Sequence, residues 1–145
     1  GRTRSELVSL RMSENQGQSL EERIDAIESG YEFMLAYAAQ GRDSDRGASG
    51  MASELRDFLD AMEQALEGLG AIIRSLTESK NADAVDRATA FFDAVDEDAR
   101  RAQGVIRLVL AQEGISSQLV DNVNASIHLR ALLTDLFVLD EALKN

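Results

Sequence analysis

Neither cysteine nor proline occurs in the chain, tryptophan is missing as well, and there is one histidine, His128. Without cysteine there are no disulfides, no thiolate catalysis, no iron–sulfur ligation and no zinc site built on sulfur, a usage that fits a reducing compartment. Without proline, and with aromatics at only 5% of residues, the commonest helix breaker is gone and the best strand formers are scarce, so long helices are allowed. Long apolar runs are missing too. Stretches such as Leu108–Ala111 and Leu136–Leu139 fall far short of the roughly 18 residues a membrane span needs. No apolar segment follows Arg2 and Arg4 as a secretory signal would require. The expectation is a cytoplasmic chain with no membrane partner. Met12-Ser13-Glu14-Asn15 looks like a natural start, so the first eleven residues are read as an expression leader. Residues 1–18 are expected to be disordered or loosely attached, with a single helical domain over 19–145.

What the chain has in excess is acid: 26 Asp and Glu against 15 Lys and Arg, a formal charge of −11. That potential repels phosphate backbones, so nucleic acid is not an expected partner, and it favours solubility.

Apolar periodicity predicts an all-α chain. Leu20, Ile24, Ile27, Tyr31, Met34 and Ala38 step by fours and threes over 19–41, and Ser19 with Glu22 makes a capping-box pattern at the start. The stretch 41–50 is polar, rich in glycine and without period, which reads as a loop. Leu55, Met62, Leu69 and Leu76 then recur every seventh residue over 50–79, widened by Phe58, Leu59, Ala65, Leu66, Ile72 and Ile73. Gly68 and Gly70 interrupt this run. We read them as a continuous helix approached closely by another backbone. A third helix over 81–113 is capped by Asn81 and carries Val85, Ala88, Phe92, Val95, Ala99, Ala102, Ile106 and Val109 at core spacing, with Gly114 as its stop. A fourth, capped by Ser116 or Ser117, spans 116–143. Short turns between long helices predict an up-down-up-down four-helix bundle.

The fourth helix departs from the rule. Ile115, Leu119, Val120, Val123 and Ile127 form one stripe, and Leu129, Leu132, Leu136, Leu139 and Leu143 form another, centred about 150° away at roughly 100° per residue. Leu133, Phe137 and Val138 lie outside even the second. A helix apolar nearly all round needs cover from elsewhere, so Leu129, Leu133, Leu136, Phe137 and Val138 are expected at an interface with a protein partner or a second copy.

No catalytic, metal or cofactor site is expected. His128 lies on a polar line with Asp121, Asn124 and Asp135, but each aspartate is about 10 Å away along the axis, so the histidine is read as partly exposed and bonded to Asn124. The chain does not resemble the phosphotransfer-histidine family, which places lysine three residues after its histidine where Ala131 stands here. One histidine cannot supply a di-iron bundle, and a haem held by Met34 and His128 competes with ordinary packing of a core methionine. The loop run Asp43, Asp45 and Glu54 has calcium-loop spacing but lacks the sixth-position glycine, where Ala48 sits. No phosphate-binding or nucleophile-elbow motif is present. Asp93, Asp96, Glu97 and Asp98, followed by Arg100 and Arg101, read as a solvated face laced by i,i+4 pairs. The leading expectation is therefore a non-enzymatic helical interaction module, homodimeric or docking a partner through its last helix. The alternative is a ligand- or cofactor-sensing bundle with a polar pocket near Met34, Asn124 and His128.

Overall fold

A computed structural model of the chain describes residues 3–4, 19–125 and 127–144, with side chains at all of these except 127, 128 and 144. The expectation of a loose segment over 1–18 thus falls almost wholly outside the described residues. Among the described residues there are no strands, and there are seven helices of more than one turn: α1 (Leu20–Ala38), α2 (Leu55–Leu66), α3 (Leu69–Lys80), α4 (Ala82–Arg87), α5 (Thr89–Leu110), α6 (Ser117–Asn124) and α7 (Ile127–Lys144). A 3-10 turn at Gly50–Glu54 leads into α2. The chain is all-α. No helix among the described residues is long and apolar enough to cross a membrane.

The caps follow the sequence closely at two starts. Ser19 Oγ accepts the Glu22 N–H at 3.0 Å at the head of α1, and Ser116 Oγ accepts the Leu119 N–H at 3.0 Å at the head of α6. Asn81 stands at the cap of α4, but its side chain makes no capping bond.

Side-chain contacts set the directions in which the helices run. Arg23 meets Ala65, and Phe33 stacks on Phe58 with ring centroids 4.3 Å apart, so α1 and α2 are antiparallel. Arg56 reaches Leu110, Arg107 reaches Glu63, and Arg74 lies 5.2 Å over the Phe92 ring, which runs α5 back along α2 and α3. α6 returns along α1, with Ser117 at Tyr37 and Asn124 at Met34. α7 packs on α5 and more lightly on α1. One continuous set of buried apolar side chains fills the space between them, from Ile27, Met34 and Leu59 through Leu69, Phe92 and Ile106 to Leu132 and Leu136.

Three expected helices are each interrupted once. The 50–79 helix stops at Glu67, and Gly68 takes a left-handed conformation with φ 65°, which a side chain would strain. The chain is therefore not continuous there as expected. The close approach occurs two residues on: a methyl group at Gly70 would come 2.7 Å from Asp96 Cβ, so the missing side chain is what lets α3 lie against α5. The 81–113 helix bends at Ala88, where the peptide N–H is shared between the Ala84 and Val85 carbonyls.

The third break corrects the strongest sequence argument. Two stripes about 150° apart in one straight rod face opposite ways. The chain instead ends α6 at Asn124 and starts α7 at Ile127, so Val120 of the first stripe and Leu129, Leu132, Leu136 and Leu139 of the second all point into the same interior. The phase change coincides with the break between two helices, and the burial of both stripes needs no outside partner to explain it.

The loop between α1 and α2 is pinned rather than loose. Asp45 accepts from Arg56 Nε at 2.7 Å and from the Ile115 N–H at 2.8 Å. Ser117 exchanges backbone and side-chain bonds with Arg42, both at 2.8 Å, and the buried Tyr37 hydroxyl donates to the Ile115 carbonyl at 2.6 Å. Burial and the Asp45 charge push the Tyr37 phenol above its ordinary value, so it stays a donor. A methyl at Gly114 would overlap Ser44, so glycine there lets the α5–α6 turn sit down on the loop. Asp45, one of the three residues of the calcium-like spacing, is committed to this clasp.

Candidate functional site

The residues singled out by sequence separate into two groups. Leu129, Leu133 and Leu136 are buried in the chain's own interior, Leu133 to 7% exposure, which withdraws them from any docking face. Phe137 and Val138 remain exposed, at 48% and 58%. The difference follows from position around α7. At about 100° per residue, Asp135, Val138 and Ala142 share one flank while Phe137 lies on the other, beside Leu133 and Asp140.

Each flank has its own surroundings. The Phe137 flank faces away from α5. α1 packs on α2, α6 and α7 and starts at Leu20, level with the end of α2, while Phe137 of α7 and Leu76 of α3 stay partly exposed. The Val138 flank instead forms one wall of a groove of about 610 Å³, closed on its other sides by the end of α3, α4 and the start of α5. Phe91, Phe92, Leu139 and Leu143 give apolar wall, and Ala84, Ala88 and Ala142 are too small to fill the space between. Thr77, Lys80 and Asn81 supply the polar end.

Of the expected polar pocket near Met34, Asn124 and His128, the described residues place two side chains. Met34 is fully buried, which suits a packing thioether. Asn124 is partly buried; its Nδ2 donates to the Met34 carbonyl at 3.1 Å, and its Oδ1 is buried with no hydrogen-bond partner among the described residues. The side chain of His128 lies outside the described residues. The groove sits in the other half of the molecule. Of its alanines only Ala88 was legible as core spacing, and nothing in a single sequence told that α4 and α7 would face each other across the groove.

Elsewhere on the described surface, charged side chains pair with one another. Asp96–Arg100 at 3.0 Å and Glu97–Arg101 at 2.6 Å are the i,i+4 pairs expected of a solvated face. Among the described residues no three His, Asp or Glu side chains converge as a metal would need. One pair is unusual: Asp98 of α5 and Asp135 of α7 share a hydrogen bond, and burial, the Asp98 charge and that bond together raise the Asp135 carboxyl above its ordinary value. A carboxyl raised by folding stabilises the fold in its protonated form, and that contribution is lost as pH rises through the raised value. Asp135→Asn should therefore raise the Tm at neutral pH, with the gain shrinking as acid protonates the wild-type pair; thermal melts over a pH series read it.

The chain matches no protein-family model, no curated protein and no solved structure. Any functional reading rests on the molecule's own geometry.

Proposed function

We propose that the chain is a non-enzymatic helical interaction module in which the seven helices act as four antiparallel rods, α1, α2–α3, α4–α5 and α6–α7, in up-down-up-down order. The antiparallel contacts and the contact order, each rod against the next and the last against the first, support that grouping. The working surface is the outer flank of α7, and its partner is a second copy of the chain. The observation that carries this reading is Phe137, a large apolar side chain left half exposed on α7, with Leu76 also exposed on α3. A twofold axis would bring the same apolar flank to both sides of such a contact, and Phe, once desolvated at its centre, is an effective anchor. Acidic side chains around the flank would discourage nucleic acid as a partner.

Light scattering tests it. The wild-type chain should show twice its chain mass, and Phe137→Glu should return it to the monomer while Leu35→Glu, an equally exposed position on α1, leaves the dimer intact. A monomeric wild-type chain over the micromolar range overturns the homodimer.

A second reading, a bundle that holds a small ligand, is favoured by a different observation, the groove beside Val138. Its volume lies within the range of ligand pockets, about 300–1,000 Å³, and its mostly apolar lining with polar groups gathered at one end is their usual composition.

A further inference from the structure

We propose that the groove between α4 and α7 binds a small amphiphile with an anionic head and an apolar tail, of the medium-chain monocarboxylate class. The inference rests on the ligand-holding reading and names its ligand.

Charge at the lining decides the class. Lys80 is the one formally charged side chain among the residues that line the groove, and no carboxylate is among them, although the chain as a whole is strongly acidic. Lys80 Nζ donates to the Leu143 carbonyl, which places the ammonium at the end of the groove, and among the described residues no carboxylate pairs with it within salt-bridge distance. Asn81 stands beside it, with an amide that makes no capping bond to α4. Thr77 is different: its hydroxyl already donates to the Ile73 carbonyl, so it adds little to recognition. The donors thus gather at the α3–α4 corner, while the space running away from them is bounded by Ala84, Ala88, Phe91 and Val138. A head that accepts hydrogen bonds and carries one negative charge fits the corner. A flexible apolar tail fits the rest and removes both its own surface and that of the alanines from water.

Decanoate is the probe and decanol its uncharged counterpart, titrated into the full chain by calorimetry. The wild-type chain should bind one decanoate saturably and more tightly than decanol. Ala84→Leu, which fills the floor, should abolish binding; Ala142→Leu, on the exposed side of α7, repeats the test if Ala84→Leu disturbs the helical circular dichroism. Lys80→Met should weaken decanoate about tenfold and leave decanol unchanged, as loss of a charge-assisted bond requires. Phe137→Glu should change neither, since that side chain lies on the opposite flank. Absence of saturable decanoate binding overturns the proposal, as does unchanged binding in both folded leucine variants. Decanol binding as tightly as decanoate would sink the anionic class while leaving the ligand-holding reading standing.

Discussion

Replacing Arg23 by alanine should lower the unfolding free energy by about 3 kcal/mol, a loss measurable as a shifted urea midpoint at constant slope. Arg23 is only 4% exposed, and its Nη1 donates to the Ala65 carbonyl at 3.0 Å, the Glu67 carbonyl at 3.1 Å and the Gln64 carbonyl at 3.4 Å. The Ala65 oxygen belongs to the last turn of α2 and the Glu67 oxygen to its cap, where the break at Gly68 leaves no further helical turn to bond them, while the Gln64 oxygen also accepts the Glu67 N–H at 3.2 Å. A positive group there also meets the negative end of the helix dipole. Burial lowers the guanidinium below its ordinary value, which measures the cost of placing it inside; it stays charged because arginine starts so high. Arg23→Met separates the contributions, because methionine keeps much of the aliphatic volume and none of the donors. If Arg23→Met is as stable as wild type, the clamp on α2 contributes nothing and the argument fails.

The second large effect is expected at the clasp. Asp45→Asn should cost about 2 kcal/mol near neutral pH, as removal of a charged partner from hydrogen bonds to a guanidinium and a peptide N–H typically does. Burial opposes ionisation of Asp45, but the Arg56 hydrogen bond, the Ile115 N–H and the Arg56 charge outweigh it and hold the carboxyl below the usual aspartate range. A carboxyl lowered by folding contributes stability above its unfolded value, and that stability is lost as pH falls through the lowered one. The gap between wild type and Asp45→Asn should therefore close in strong acid. Arg56 does more than pair with Asp45, since it also donates to the Leu110 carbonyl at 2.9 Å and the Gln112 carbonyl at 2.7 Å, where α5 ends. Arg56→Ala should cost at least as much, and a double-mutant cycle between the two positions should return a coupling above about 1 kcal/mol. A coupling near zero would show that the loop is held by Tyr37 and Ser117 alone.

How much of this was readable beforehand differs from helix to helix. The start of α1 was legible because Ser19 and Glu22 act on each other locally, and Ile24, Ile27 and Met34 because an amphipathic stripe is also local. The same stripe included Tyr31 and Ala38, which are only partly buried, and passed over Tyr37, which is almost fully buried. The Tyr37 hydroxyl is satisfied by a carbonyl 78 residues away, a partner no window of sequence contains. Arg23 was invisible for the same reason. The breaks at Gly68 and between α6 and α7 were legible as irregularities and misread as continuous rods, since periodicity gives the phase of a stripe and is silent on whether the axis bends. Of the candidate site, the sequence reading took in five residues of α7, of which Leu129, Leu133 and Leu136 are buried and Phe137 and Val138 are exposed. A projection onto one helix cannot distinguish Leu133, which is buried, from Phe137, which is left half exposed.

The arginines and lysine that close this fold end on peptide oxygens more than on carboxylates: Arg23 on α2, Arg56 on α5, Lys80 on α7. Dissolved ions loosen attractions between full opposite charges at a surface, yet have little hold on a guanidinium seated against a partly buried carbonyl. The acids left over repel one another through water, where counter-ions quiet them readily. For this chain a brine is the milder solvent, and dilute buffer is where its own excess of negative charge presses hardest on the folded form.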